Sequence, residues 1–438
     1  MSGQSEWASS VDSLEQRVYT HLPPSEIFNR PIIDEEVEAR EIHREKFQGA
    51  DFELVTRKGK FYFVPSWHRW NAVAPHSKGV NYAKGVIDGG SFRAAVDPND
   101  PTGIDHGNIV LADARNKRYV SSWRALGYEV AGQEMSQSIY DLCTILGEGV
   151  LRDSEEMPTR AYIRPHGVVS EIGTGVGTSD IDEIFHGLYI RNFPSYFPGK
   201  EGRIYQSEGL YTTVFLDQQR LEPIPGKLTR NYPLVGDLTK RAKVLSDDEA
   251  IILAPHGYDP SSKKIKRVFA QDGDDALELM LKYQHFADGP GQGLIAVKEH
   301  SGFVEVWFPP DSVNQLISTT MMYNRHYMVP GMGFRVVERP FGFYEIRKGL
   351  VDNILMVGNA VGVVPVGRIR VIHPARGEIE IIQMDISNAA KRLRNQYAAE
   401  IDELIPPSHP SLITRVDLHS PQAQKAREIL YNAWEKYF

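Results

Sequence analysis

The pattern of hydrophobic and polar positions predicts a chain in which strands and helices alternate. Short apolar runs bounded by turn residues are typical of strands, and apolar residues three or four apart are typical of helices. Strands are predicted at 52–55, 61–64, 159–169, 210–216, 250–254, 294–297, 304–308, 334–337 and 354–357. Helices are predicted at 112–126, 136–151, 238–245, 274–285, 312–328 and 386–403. Residues 97–107, rich in Asp, Pro and Gly, are predicted to be a hairpin loop.

This mixture predicts two α/β domains, the second larger than the first. Two prolines and a glycine within NFPSYFPG, residues 192–199, favour an interdomain linker there. The predicted division has four parts: an N-terminal extension at 1–47, a small α/β domain at 48–191, a linker at 192–201 and a large domain at 202–438. Within the large domain, residues about 260–285 have the character of an insertion.

Composition narrows the classes of protein. The chain has 438 residues and a formal charge of 49 − 57 = −8, so a mainly electrostatic nucleic-acid binder is not expected. A single cysteine, Cys143, excludes an intramolecular disulfide framework. The longest apolar run, 354–367, is too short to span a bilayer, and no signal peptide is evident. We therefore expect a cytoplasmic protein that binds neither membrane nor nucleic acid.

Common motifs of metal and nucleotide sites are missing or weak. The fourteen histidines include no His-Glu-x-x-His pair, so no metal site is predicted. The glycines in GTGVG, residues 173–177, have the wrong spacing for a dinucleotide fingerprint. There is neither a Walker motif nor the Gly-x-Ser-x-Gly turn of serine hydrolases.

Several segments, taken in order, carry a resemblance to a known family. Residues 225–232 read PGKLTRNY, in which a lysine is followed by an asparagine four residues later and a tyrosine five residues later. Other segments are AYIRP at 161–165, NFP at 192–194, ADGPGQGL at 287–294, VERP at 337–340 and GNA at 358–360, followed by VPVGRI at 364–369. This ordered set resembles the branched-chain aminotransferases, which are class IV (fold type IV) pyridoxal-phosphate enzymes.

The resemblance implies a fold, a cofactor and an activity. The fold would be the two-domain α/β architecture of fold type IV, with pyridoxal 5'-phosphate as cofactor and a homodimer as the unit. The activity would be aminotransfer between an amino acid and a 2-oxo acid. Lys227 would carry the cofactor as an aldimine and act as general base and acid.

Roles at the site follow from the matched positions. Arg118 would bind the cofactor phosphate, together with backbone amides around Thr319-Thr320 and Asn359-Ala360. Asp288 would keep the pyridine nitrogen protonated, although the family has a glutamate there, and Tyr232 would bond the ring oxygen. Residues implied at the substrate are Phe92, Tyr162, Arg164, Arg230 and Ala360. His166 lies on the same strand face as Arg164, so it could reach the substrate space as well. A histidine packed in the core is at least an equal alternative.

Departures from the family pattern lie at the site itself. Thr229 and Arg230 replace two glycines beside the lysine, and Arg93 stands at a family glutamate. Because extra arginines favour anionic groups, we predict a specialised substrate, as in secondary metabolism, rather than leucine, isoleucine and valine. The alternatives are a fold type IV lyase like the aminodeoxychorismate enzymes, a D-amino-acid aminotransferase, or a non-catalytic relative with a drifted site.

Overall fold

The computed structural model describes residues 52–57, 60–65, 77, 83–97, 100–129, 160–171, 184–193, 195–219, 226–259, 264–266, 274–310, 316, 318–417, 419 and 421. The predicted N-terminal extension and the predicted helix at 136–151 lie outside these residues.

The first half of the chain forms most of one antiparallel sheet, whose strands differ in length. Its strands are β1 (Phe52–Arg57), β2 (Lys60–Pro65), β3 (Gly85–Ile87), β4 (Gly90–Asp97), β5 (Asp100–Val110), β6 (Arg160–Val169) and β7 (Ile184–Asn192), joined by β18 (Ile413–Asp417). The order is β18-β5-β4-β6-β7-β1-β2, with β3 paired to β6. The last strand of the chain therefore completes the first sheet, on the edge of β5.

The second half forms a larger sheet, which ten described strands make up. They are β8 (Leu210–Gln219), β9 (Glu249–Asp259), β10 (Lys264–Lys266), β11 (Gln284–Asp288), β12 (Gly293–Glu299), β13 (Val304–Phe308), β14 (Arg335–Glu338), β15 (Asn353–Gly358), β16 (Gly362–His373) and β17 (Gly377–Gln383). The main order is β10-β9-β8-β16-β15-β12-β13-β14; β11 pairs with β9 and β12, and β17 with β16. Strand β8 runs parallel to β9 and β16, so this sheet is mixed.

Helices connect and cover the sheets. They are α1 (Ala112–Ala125), α2 (Tyr232–Val244), α3 (Asp274–Tyr283), α4 (Thr319–Tyr323), α5 (Val329–Gly331), α6 (Phe343–Arg347) and α7 (Asn388–Ile401). Shorter helical turns lie at Gly202–Ser207, Thr229–Asn231, Asn324–Met328 and Pro410–Leu412. None of the described helices is long and apolar enough to cross a membrane.

Two apolar clusters hold the larger sheet, since its central strands are buried along their length. Buried residues of β8, β12 and β15 pack with Phe286, Phe341 and Phe343 in one cluster. The other contains the apolar stripe of α7, including Leu393 and Tyr397. Val110 and Leu111, at the end of β5, belong to this second cluster as well. The end of the first sheet is therefore packed into the core of the second.

The start of α1 is fixed by an unusual backbone conformation. Leu111 has a φ of 55°, in the left-handed region that non-glycine residues rarely adopt. Its amide donates to the Leu412 carbonyl at 2.7 Å, and its side chain is buried. Burial and this bond offset the strain and set the direction in which α1 leaves the sheet.

Three element predictions are wrong in part. The loop predicted at 97–107 is a strand from Asp100 onward, because β4 and β18 bond to β5 from both sides despite its Asp, Pro and Gly content. The helix predicted at 274–285 ends at Tyr283, where Gln284 begins β11. In the helix predicted at 312–328, residues 316 and 318 are not helical, and α4 begins at Thr319. The strands without a prediction are β3, β4, β7, β10, β16, β17 and β18. The other predicted strands are found with similar bounds, and the helices predicted at 112–126, 238–245 and 386–403 are found as α1, α2 and α7. The proposed domain boundaries stay predictions.

Candidate active site

A cavity of about 320 Å³ lies between the two sheets. Its wall on the first-sheet side includes Gly89, Arg118, Tyr162 and Arg164, and the second-sheet side supplies most of the rest. The residues predicted from sequence that line it are Arg118, Tyr162, Arg164, Lys227, Tyr232, Asp288, Thr319, Thr320, Asn359 and Ala360. The predicted residues alone are up to 360 − 118 = 242 positions apart in the chain, from Arg118 to Ala360, and are brought to one space.

Lys227 is held by a turn that docks on α1 and β3. Its amide donates to Ser122 Oγ at 2.9 Å, and its carbonyl accepts from the Ile87 amide at 3.0 Å. Gly226 is required for this approach, because a Cβ there would lie 2.7 Å from Ser122 Cα. The lysine backbone is therefore fixed from both sides, while its side chain borders the cavity.

The amine of Lys227 is made easy to deprotonate by its surroundings. Burial, and next the positive charge of Arg118, lower its pKa from 10.5 to about 7. Arg164 and Arg115 act in the same direction, whereas Asp88 opposes them. A substantial fraction of the amine is therefore neutral at neutral pH, which a nucleophilic lysine requires.

Arg118 is paired with a buried carboxylate, Asp88. Its Nε donates to Asp88 Oδ2 at 2.8 Å and its Nη2 to Oδ1 at 2.5 Å. Asp88 is fully buried, and its Oδ1 also accepts from the Gly89 amide at 2.6 Å. Burial alone would raise the pKa of Asp88, but Arg118 outweighs it and the pKa is lowered, so the carboxyl is ionised. The pair fixes the guanidinium at the cavity wall.

Asp288 lies at the end of β11, where the chain turns into a glycine-rich loop. It is buried, and its Oδ2 accepts from the Leu316 amide at 3.4 Å. The Gly289 amide donates to the Gln292 carbonyl at 2.8 Å, which closes the turn. A Cβ at Gly289 would lie 2.8 Å from Gln292 Oε1, and one at Gly358 3.1 Å from Gln292 Cγ. Glycines thus keep this side of the cavity open.

Tyrosines and an arginine form the opposite wall. The Arg164 guanidinium lies over the Tyr162 ring, 4.7 Å from its centroid, and Lys227 Nζ lies 5.9 Å from the centroid of Tyr232. Burial raises the pKa of both tyrosines, so their hydroxyls are protonated donors. Gly89 makes room for Tyr162, because a Cβ there would lie 1.8 Å from its hydroxyl oxygen.

The two chain segments predicted to supply backbone amides also meet at the cavity. Ser318 caps α4 by accepting from the Met321 amide at 3.3 Å, and Thr319 and Thr320 follow it. Asn359 Nδ2 donates to the Gly89 carbonyl at 2.9 Å, and the Asn359 carbonyl accepts from Ser91 Oγ at 3.1 Å. Asn359 therefore joins the two sheets with its side chain as well as its backbone.

Three residues singled out in the sequence, Phe92, Arg93 and His166, are not among those that line the cavity, and a fourth, Arg230, has a side chain that is not described. Phe92 is fully buried on β4 and is not among the residues that line the cavity. Arg93 Nη1 pairs with Asp402 Oδ1 at 3.2 Å, also away from the cavity lining. His166 is packed, with burial lowering its pKa to about 4. Arg230 belongs to the helical turn Thr229–Asn231, and its side chain lies outside the described part of the structure.

Sequence reasoning missed several polar residues of the site. Asp88 and Ser122 are the partners of Arg118 and Lys227, as described above. Tyr196, from the predicted linker, lines the cavity with Thr239 and Gln292. Tyr196 Oη and Thr239 Oγ1 donate to the buried Glu249 at 3.2 and 2.9 Å. A signal existed only for Asp88, a carboxylate between apolar residues and a glycine pair.

Comparisons with known proteins support the fold. No protein-family model matches the chain, and no curated protein matches its sequence. Among solved structures, the branched-chain aminotransferase of Thermoproteus uzoniensis with norvaline is similar, with a TM-score of 0.58 and 16% identity over 83% of this chain and 99% of that one. The Escherichia coli enzyme has a TM-score of 0.57 and 18% identity over 83% and 98%.

The enzyme of Thermobaculum terrenum in its PLP-form gives a TM-score of 0.56 and 14% identity over 84% of this chain and 99% of that one. At such identities the likeness is one of fold. The chain has the fold of the branched-chain aminotransferases, so the predicted fold class is confirmed, and most of each neighbour's length is matched.

Proposed function

We propose that this protein is a pyridoxal-phosphate-dependent aminotransferase with Lys227 as its catalytic residue. The observation that carries the proposal is a lysine with a pKa of about 7, in one cavity with Arg118 and Asp288. A reactive amine, an anion-binding guanidinium and a buried carboxylate are the groups that this cofactor needs from a protein. The fold adds support, because its solved neighbours are branched-chain aminotransferases.

The residues present fit the cofactor. Arg118 and Lys227 contribute positive charge to the cavity lining, and the buried Thr320 lines the cavity as well. Glycines at 89, 289 and 358 leave space that side chains would fill. Arg118, Thr320 and the amides near Thr319 and Ala360 would hold the phosphate, and Asp288 the pyridine nitrogen. When bound, the cofactor supplies an electron sink for the substrate's α-carbon.

Lys227 moves the proton in this proposal. Its neutral amine accepts the proton of the substrate's α-carbon. The resulting ammonium then donates that proton back, which completes the proton shift of the amino-transfer step. A pKa of about 7 suits both directions, since neither protonation state is strongly favoured near neutral pH. Ser122 and the Ile87 amide keep the lysine backbone in place during the exchange.

Asp288 and Tyr232, which both line the cavity, would control charge at the cofactor ring. Asp288, buried and held by the Leu316 amide, would keep a ring nitrogen protonated by its negative charge. Tyr232, protonated because burial raises its pKa, would donate to an oxygen on the ring. The carboxylate is one methylene shorter than a glutamate, so the β11 turn at Gly289 must bring the backbone closer or a water must bridge.

The substrate side centres on Arg164 and Tyr162. A guanidinium and a phenol on one wall suit a substrate carboxylate, which a fork of N–H donors binds in two places. The hypothesis of a specialised anionic substrate was based on Arg93 and Arg230. Because Arg93 pairs with Asp402, the hypothesis now depends on Arg230. A panel of acidic, polar and branched-chain amino donors tests it: a clear preference for branched-chain donors would remove the hypothesis.

One observation favours a second candidate, a relative with a drifted and non-catalytic site. Asp88 engages two nitrogens of Arg118, the residue assigned to phosphate. A protein that does not take up the cofactor would support this candidate. The homodimer that the resemblance implies and the cytoplasmic location expected from the sequence stay predictions; sedimentation analysis checks the first.

The reaction itself is tested with the purified protein, pyridoxal phosphate, an amino donor panel and a 2-oxo acid acceptor. The proposal expects one new amino acid for each 2-oxo acid formed, and no turnover by Lys227→Ala. A lyase would release a 2-oxo acid without a second amino acid. A D-amino-acid aminotransferase would accept the D-isomers of the donors. Loss of stoichiometry, or activity retained in Lys227→Ala, would contradict the proposal.

A further inference from the structure

A second arginine, Arg115, is buried on α1 one turn before Arg118. It is 1% exposed, and its Nε donates to the Val110 carbonyl at 2.7 Å. Within the described residues, neither Nη1 nor Nη2 has a hydrogen-bond partner. The two Nη groups of the Arg115 guanidinium are thus buried without hydrogen-bond acceptors. This costs free energy unless a ligand supplies the acceptors.

The charges around Arg115 do not balance. Asp88 is bound to Arg118 by two hydrogen bonds, so those two charges offset each other. Arg115 also acts on this cluster, because its charge lowers the pKa values of Asp88 and Lys227. A buried group with one carboxylate and two guanidiniums keeps a positive surplus, and an anion is the natural counterpart.

The surroundings of Arg115 lead to the cavity. Burial raises the pKa of the Tyr397 hydroxyl, and the charge of Arg115 and a side-chain hydrogen bond with Thr320 oppose that rise. Arg115 and Thr320 therefore both lie near the Tyr397 hydroxyl. Thr320 lines the cavity, whereas Arg115 does not. Arg115 thus belongs to a buried polar group that reaches the cavity wall at Thr320.

We propose that Arg115 is a second phosphate-binding guanidinium of this site. Because Asp88 offsets the positive charge of Arg118, Arg115 supplies the positive charge that the phosphate needs. The inference rests on the proposed function for the identity of the ligand, pyridoxal phosphate. Arg115 and Arg118 are three residues apart on α1, so one helix face presents both to the same region. The ligand's phosphate oxygens would accept from the two Nη groups, with the Thr320 hydroxyl as a neighbouring donor.

The test compares ligands with and without the phosphate. Binding of pyridoxal phosphate and of pyridoxal is measured by absorbance, and protection by inorganic phosphate by the unfolding temperature at constant ionic strength. Arg115→Gln should weaken pyridoxal phosphate about tenfold or more, since a charge-assisted hydrogen bond is lost. It should abolish the protection by inorganic phosphate and leave pyridoxal binding within about twofold, because pyridoxal uses Lys227 without the phosphate contacts.

Arg124→Gln is the matched control, because Arg124 is an exposed arginine on the same helix, paired with Glu129. It should leave all three measurements unchanged. If Arg115→Gln does not fold, Arg115→Lys replaces it: the charge remains but the fork is lost, and pyridoxal phosphate should bind severalfold more weakly with pyridoxal unchanged.

Two outcomes overturn the inference. Unchanged pyridoxal phosphate binding in the folded Arg115 variant would show that the residue does not contact phosphate. An equal loss for pyridoxal would show that Arg115 acts on Lys227 instead. Failure of the proposed function is recognised separately, since the unaltered protein would then bind neither pyridoxal compound, whatever the effect of inorganic phosphate.

Discussion

At the scale of single residues, the reactivity of Lys227 comes from its neighbours rather than from its own chemistry. Burial and the charge of Arg118 lower its pKa, and Asp88 moderates the effect. The same Asp88 holds Arg118 in place. One buried carboxylate therefore influences both the amine and the guanidinium of the proposed site.

The pKa of Lys227 predicts how its reactivity depends on pH. The neutral amine is the nucleophile, and with a pKa of about 7 its fraction rises as the pH increases through 7. The rate of adduct formation with pyridoxal, which lacks a titrating phosphate, should be low in acid, rise around pH 7 and level off above about pH 8. A rate that continues to rise toward the ordinary lysine pKa would contradict the prediction. Stopped-flow absorbance measures it, with Lys227→Ala as the control.

The sequence could predict the site residues that lie in family-like motifs, but not the residues with which they form hydrogen bonds and ion pairs. Lys227, Arg118 and Asp288 are visible because charged residues lie in segments that resemble a family. The pairing of Asp88 with Arg118 depends on β3 meeting α1, a contact that no local pattern encodes. Arg93 looked like a site residue for its charge, and its partner Asp402 comes from the end of α7.

At the scale of elements, the site depends on the contact between α1 and the turn at Lys227. Ser122 Oγ accepts from the Lys227 amide and donates to the Arg118 carbonyl at 2.7 Å. Gly226 lies directly against the Ser122 backbone. The helix that carries the arginines and the turn that carries the lysine are thereby fixed to each other.

Ser122→Ala should destabilise this contact, and Ser121→Ala should not. Both hydroxyls donate to the Arg118 carbonyl, but only Ser122 accepts from Lys227. Losing that acceptor leaves a backbone amide unsatisfied, which costs about 1–3 kcal/mol. The free energy of unfolding in urea measures the loss for Ser122→Ala. Equal losses in the two variants would mean that the bond to Lys227 contributes nothing.

A glycine pair tests the closeness of the same contact. Gly226→Ala should lower the free energy of unfolding by about 1–3 kcal/mol, because the added Cβ meets Ser122 Cα at 2.7 Å. Gly236→Ala, in α2, meets nothing within 4 Å and should raise it by up to about 1 kcal/mol. Denaturant titration of both variants gives the comparison; a neutral Gly226→Ala would refute the close approach.

The predictability of elements followed the range of their interactions. Helix α7 and strand β12 have local patterns that match their structure, and both were predicted. Strand β5 was taken for a loop because its first part is rich in Asp, Pro and Gly, although β4 pairs with it along its length and β18, some 300 residues away, pairs with residues 106–110. The switch from α3 to β11 at Gln284 was missed as well, since β9 and β12 supply its bonds.

At the scale of the whole molecule, the two sheets meet at the cavity and bond across it. Asn359 bonds to Gly89 and to Ser91, and the Ile87 amide bonds to the Lys227 carbonyl. A ligand in the cavity would contact walls from both sheets and stabilise them together.

This arrangement predicts that pyridoxal phosphate protects both sheets from hydrogen exchange. A ligand at a thousand times its Kd adds about 4 kcal/mol to the stability of every region whose opening releases it. Peptides from β6 and from β15 should therefore both slow in exchange, as mass spectrometry would show, and the slowing should shrink in Lys227→Ala. Protection of β15 alone would mean that the first sheet does not take part in the site.

The central claim, that Lys227 binds pyridoxal phosphate covalently, has a direct measurement. The protein is incubated with pyridoxal phosphate, reduced with borohydride, digested and sequenced by mass spectrometry. A stable phosphopyridoxyl mass is expected on the peptide that contains Lys227, at one per chain, and none is expected in Lys227→Ala. A colourless protein without that mass, or the same labelling in Lys227→Ala, would contradict it.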